Sequence, residues 1–135
     1  MLTAEDRALL ERPLHGYLTV APRPGHRPVT RPVWFGLTDD GVEVFTFARA
    51  PKVDRVRTDP WASLVVATPE GESERWVAVS GEVTVHDEGA GELARRLAGE
   101  YWDLADRDKA AALEAMLTED LVRLVIRPDD VRRGA

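Results

Sequence analysis

The strands of this chain follow one another through tight turns, and that connectivity narrows the possible folds more than any other feature. Asp39-Asp40-Gly41 is a hairpin signal leading into Val42-Glu43-Val44-Phe45-Thr46-Phe47, because Asp-Gly readily supplies the positive φ that such turns need. Upstream, Leu14–Ala21 reads as a strand closed by the turn Pro22-Arg23-Pro24-Gly25. Pro28–Leu37 reads as a second strand, irregular or at an edge, since Pro28 and Pro32 cannot donate to a ladder. Asp59-Pro60 resets the chain into Trp61–Ala67, and Pro69–Ser73 forms a further turn. Arg75–His86 then alternates, with Trp76, Ala78, Ser80 and Glu82 on one side and Val77, Val79, Gly81 and Val83 on the other. Leu121–Arg127 is a last strand, followed by a charged tail.

Helices are expected from a Thr3 cap to about Leu10, over Pro51–Thr58, over Ala90–Leu104 and over Arg107–Leu117. A regular β-α-β alternation is missing, as is any GxGxxG, which argues against a Rossmann fold. The pattern predicts a mainly β fold with flanking helices, built as an antiparallel barrel. No repeat or linker divides the 135 residues, so one domain over 1–135 is expected.

Several function classes drop out. With 24 acidic against 18 basic residues and dispersed arginines, a nucleic-acid partner is not expected. There is no cysteine, hence no disulfide, thiolate metal site or cysteine nucleophile. No apolar run approaches the roughly 18 residues of a membrane span, and the acidic start Met1-Leu2-Thr3-Ala4-Glu5-Asp6 lacks the basic and apolar regions of a secretory signal. No membrane partner and a cytoplasmic location are therefore expected. His15, His26 and His86 have no metal-ligand spacing, so no metal is expected. Asp39-Asp40 is a turn, not an acid–base pair, and Ser63 and Ser80 lie in strands without a nucleophile elbow.

Phe45–Arg57 carries the positive evidence for a binding site. An apolar strand runs into a helix with Pro51 at its first position, where a missing N–H has no cost. The free N–H groups and positive dipole end of such a start favour an anion. Lys52 adds a point charge in that turn, with Arg49 just before it and Arg55 one turn on. An ordinary solvated helix start is the competing reading.

Read together, Arg31-Pro32-Val33-Trp34-Phe35, the Asp-Gly turn, Val44-Phe45-Thr46, Pro51-Lys52, Asp59-Pro60-Trp61-Ala62-Ser63-Leu64 and Arg75-Trp76-Val77-Ala78-Val79-Ser80-Gly81 resemble an ordered family pattern. The chain is similar to the pyridoxamine 5′-phosphate oxidase-like split barrels, which include FMN-binding and F420-binding (deazaflavin) oxidoreductases. The resemblance covers roughly residues 5 to 128 and implies a split antiparallel β-barrel that pairs as a homodimer around a cofactor groove.

Residue by residue, the resemblance implies that Arg31, Val33, Trp34 and Phe35 line the cofactor ring and phosphate. It brings Phe45 and Thr46 to the cofactor from a strand end, makes Lys52 the phosphate anchor assisted by Arg49 and Arg55, and sets Trp76 on the substrate side. Gly81 matches the glycine of the long strand. Pro51 stands where the oxidases carry an arginine, and Trp76 where they carry a glutamine. Their C-terminal extension with a substrate-binding Trp and Arg has no counterpart after Leu121–Arg127. The implied function is therefore hydride transfer between a bound flavin-type cofactor, F420 in preference to FMN, and a small organic substrate, without true pyridoxamine phosphate oxidation. No catalytic acid or base is singled out. The alternative is a non-catalytic carrier or sensor for flavin, F420 or haem, with His15 or His26 as a haem ligand.

Overall fold

The computed structural model describes residues 1–135. Its elements are α1 (Ala4–Leu10), β1 (Gly16–Val20), β2 (Thr30–Val33), β3 (Gly36–Leu37), β4 (Val42–Phe47), α2 (Pro51–Thr58), β5 (Trp61–Ala67), β6 (Trp76–His86), α3 (Ala90–Tyr101), α4 (Arg107–Leu117), β7 (Leu121–Ile126) and β8 (Asp130–Gly134). All paired strands are antiparallel, in the order β2-β1-β5-β6-β7-β4-β3, with β8 added to β6. The two ends of this path, β2 and β3, do not pair with each other, so the barrel is split. Each strand turns alternate residues inward. Leu18, Leu64, Val66, Val77 and Val79 meet Val42, Val44, Leu124 and Ile126 in one core, joined by Leu9 and Leu10 of α1 and Val53 and Val56 of α2.

Two sequence expectations need correction. The segment Pro28–Leu37 is two short strands, because the chain leaves the β1 ladder at Trp34 and buries Phe35 in the core before pairing with β4. The charged tail is strand β8, which pairs with Trp76–Ser80 of β6. Its only apolar anchor is Val131, so it carries too little alternation to be legible as a strand.

The long strand β6 serves three neighbours. It pairs with β5 over Trp76–Glu82, with β8 over Trp76–Ser80 and with β7 over Val83–His86. At the junction, Arg127 N–H donates to the Glu82 carbonyl at 2.9 Å, and Glu82 N–H donates to Asp129 Oδ2 at 2.9 Å. Gly81 sits beneath this crossing. A Cβ there would collide with the Arg127 carbonyl oxygen and crowd the Asp129 carboxylate, which gives this strand glycine its physical reason.

Candidate anion-binding cleft

Helix α2 begins as its sequence dictates. Pro51 opens it and Ala50 provides no side-chain cap; Pro51 has no N–H and Val53 N–H turns back to the Ala50 carbonyl at 3.0 Å, which leaves the Lys52 amide as the first-turn donor facing outward from the ladder. Val53 and Val56 enter the core and fix the roll of the helix. That roll turns Lys52 and Arg55 toward the end of β1 and the β1–β2 loop, where an open cleft of about 340 Å³ lies. Leu18, Val20 and Val29 give it apolar walls, while Arg23, Arg27, Arg31, Lys52, Arg55 and His26 bring nitrogen groups to it. No carboxylate lines it. Asp54 is exposed and outside the lining.

Within the cleft, Lys52 is half-buried, and its pKa falls below the ordinary value of 10.5. The first cause is desolvation, followed by repulsion from Arg31. Arg55 is tied down: its Nε donates to the Ala21 carbonyl at 3.1 Å and one terminal nitrogen donates to the Pro22 carbonyl at 2.9 Å. It locks the loop base to the helix that carries Lys52. A half-buried lysine repelled by a neighbouring arginine, with no carboxylate in the lining, makes a site that an anion would stabilise.

Of the residues expected around a cofactor, Arg31, Lys52 and Arg55 line the cleft and the others do not. Arg49 is exposed, ion-paired with Glu119 at 2.8 Å and stacked over the Phe47 ring at 4.9 Å. Phe35 and Thr46 are buried, and Val33 packs against the core. Trp76 lies against Gly134 of β8, so closely that a Cβ at Gly134 would run into its indole.

Trp34 and Phe45 belong to a separate aromatic cluster on the outer face of the sheet, at the C-terminal end of α3. Trp34 stacks on Tyr101 with centroids 5.2 Å apart and meets Trp102 edge-on at 4.6 Å and Phe45 at 6.2 Å. The Tyr101 hydroxyl donates to the Leu14 carbonyl at 2.6 Å and accepts from Phe35 N–H at 3.3 Å. It therefore stitches α3 to the segments entering β1 and β3, and burial raises its pKa. Tyr101→Phe is expected to cost about 1 kcal/mol, the net worth of one such bond, read as a lower urea midpoint at unchanged m-value. Beside it, buried Glu43 bridges Arg96 of α3 and Arg123 of β7, so the region is structural in its chemistry.

The sequence pattern does not mark Arg23 and Arg27 as site residues, and it offers His26 only as a haem ligand in the alternative reading. It assigned their segment to a turn, and that turn exists: His26 N–H donates to the Arg23 carbonyl at 2.9 Å, with Gly25 at φ 78°. The available signal was three basic side chains within five residues of a proline-bracketed loop. No helix is long and apolar enough to cross a membrane, and no group of three or more His, Asp or Glu could hold a metal ion.

The sequence model of the family described as pyridoxamine 5′-phosphate oxidase matches residues 2–132. No curated protein matches the chain. Among solved structures, one described as an F420 reductase is 25% identical, covering 93% of this chain and 94% of that one, with a TM-score of 0.72. A conserved hypothetical protein from Mycobacterium tuberculosis is 20% identical over 98% of this chain and 84% of that one, with a TM-score of 0.73. An FAD-binding protein from Mesorhizobium loti is 19% identical over 98% and 94%, with a TM-score of 0.64. These last two carry the fold alone.

Proposed function

The chain belongs to the pyridoxamine 5′-phosphate oxidase family, and from that premise we propose that it is an oxidoreductase moving hydride between a bound flavin-type cofactor, F420 or FMN, and a small organic substrate. The observation that carries this reading is the cleft itself: Lys52 and Arg31 close enough to repel, beside an uncapped helix start, with no acid in the lining. That donor set fits a phosphate, a group both cofactors carry. Similarity to the F420 reductase favours F420.

Lys52 and Arg31 hold the phosphate, Arg55 fixes the wall that faces it, and Leu18, Val20 and Val29 give the rest of the ligand an apolar seat. When bound, such a cofactor supplies the hydride-transfer chemistry. The protein's task is to orient it and exclude water from one side. No carboxylic acid in the lining stands ready as a proton donor, and in this reading the product takes its proton from solvent. Trp76, packed under β8, leaves no amide at the position where the oxidases use glutamine, so the substrate is read as one other than pyridoxamine phosphate.

A second copy of the chain completes the groove in this reading. The outer face of β1 and β5 exposes Tyr17 at 49% and Trp61 at 41%, with Val65 opposite Tyr17 and Trp61 hydrogen-bonded to Ala21 at the cleft edge. Large exposed apolar side chains on a sheet face favour a partner. The double variant Tyr17→Glu/Trp61→Glu is expected to sediment as a monomer where the parent sediments as a dimer. A monomeric parent would refute the pairing.

Titration of the purified protein with FMN and with F420, followed by cofactor fluorescence, tests the cofactor. Turnover of the reduced cofactor by candidate acceptors then separates an oxidoreductase from a carrier. Absence of binding by either cofactor would remove the proposal.

A further inference from the structure

The cleft holds more positive charge than one phosphate requires. Nine of the sixteen arginines sit in ion pairs elsewhere on the molecule. Four of the remaining seven, Arg23, Arg27, Arg31 and Arg55, converge here with Lys52 and His26, in a chain whose net charge is −6. Concentrating unpaired cations against such a background costs self-repulsion, which a ligand of matching charge would relieve.

These nitrogen-bearing side chains fall into two groups on different elements. Lys52 and Arg31 form one, on α2 and β2. Arg23, His26 and Arg27 form the other, on the β1–β2 loop, whose turn is closed by the His26 N–H to Arg23 carbonyl bond. Arg55 couples the two, because its guanidinium holds the loop's first carbonyls from the helix that bears Lys52. A mobile basic loop would only raise local charge, whereas one pinned to α2 keeps its cations beside a ligand already anchored there.

We propose that this cleft takes a ligand with two separated acidic parts: a phosphate at Lys52 and Arg31, and a further carboxylate or phosphate at Arg23 and Arg27. The inference rests on the flavin-type reading for the first part and extends it to the second. It makes the loop the element that sorts cofactors by their tails. F420 carries carboxylates beyond its phosphate, FAD carries a second phosphate, and FMN has neither.

The test is calorimetric titration of the wild type and of Arg23→Ala/Arg27→Ala with F420, FAD and FMN. Both arginines are exposed on a loop, so the variant keeps its fold. The expected result is a loss of about tenfold or more for F420, FAD or both and less than about twofold for FMN, with a steeper salt dependence for the ligand that responds. F420 responding alone identifies carboxylate as the second acid, and FAD responding alone identifies phosphate. Equal losses for all three, or none, would overturn the proposal. Failure of the flavin reading would look different, since no cofactor would bind the wild type. Tripolyphosphate against inorganic phosphate then decides the matter: a tenfold preference lost in the double variant upholds a two-acid cleft, and no preference overturns it.

Discussion

Lys52→Ala is expected to weaken cofactor binding by one to two orders of magnitude while leaving the fold intact. A charge-assisted contact to phosphate is worth roughly 1.5–3 kcal/mol, which sets that range. The side chain is half-buried and already disfavoured as a cation by desolvation and by Arg31. Part of the anion's attraction is therefore relief of repulsion, and removing Lys52 removes that gain with the contact. Lys52→Met keeps most of the aliphatic stem and deletes the charge, so both variants should lose affinity alike if charge is the cause. If Lys52→Met bound as tightly as the wild type, the phosphate assignment would fail.

The same residue predicts a pH signature. A bound anion favours the charged lysine, so affinity should be level near neutrality and decline as pH rises through the depressed lysine range, below the ordinary 10.5. In either Lys52 variant that alkaline decline should disappear. Fluorescence titrations between pH 7 and 10 would check both statements.

Legibility in the sequence followed how local the determining physics was. The helix start at Pro51-Lys52, the alternation through Trp76–His86 and the Asp39-Asp40-Gly41 hairpin depend on near neighbours, and each was readable. Strand β8 was not, because it is held by the β6 edge and by an ion pair to a residue at the far end of the chain. The cleft was half-readable. Lys52, Arg31 and Arg55 stood out by spacing and family resemblance, whereas Arg23, His26 and Arg27 join them only because Arg55 folds the loop back. Arg49 shows the converse. Three residues before Lys52 in sequence, it is drawn off by Glu119, a partner no local pattern reveals. Trp34 and Phe45 read as ring-lining residues, yet β4 alternation turns Phe45 away from Val44 and the core, and Trp34 is claimed by Tyr101.

Asp6→Asn is the substitution expected to cost most stability, about 3 kcal/mol, the low end for breaking a buried ion pair because its partners are partly exposed. The Asp6 carboxylate is fully buried. It accepts from Thr3 N–H at 2.8 Å in a capping box, from Arg133 of β8 at 2.8 Å and from Arg75 at 3.3 Å. One side chain thus starts α1 and clamps the last strand to the first helix. Hydrogen bonds from Arg133 outweigh desolvation and hold the carboxyl well below its ordinary value of 3.8. A folded-state pKa below the unfolded one gives stability that is complete above the unfolded value and lost as pH falls toward the folded one. Wild-type stability should therefore decline as acid is added below about pH 5, with Asp6 as one contributor, and the Asn variant should show a shallower acid limb. At neutral pH the variant should melt roughly 10 °C lower, given 2–8 °C per kcal/mol for domains near this size. Arg133→Met should reproduce part of both effects, and Asp6→Asn/Arg133→Met less than their sum, because the two residues share one interaction. Full additivity in that cycle would sink the clamp as the source of the effect.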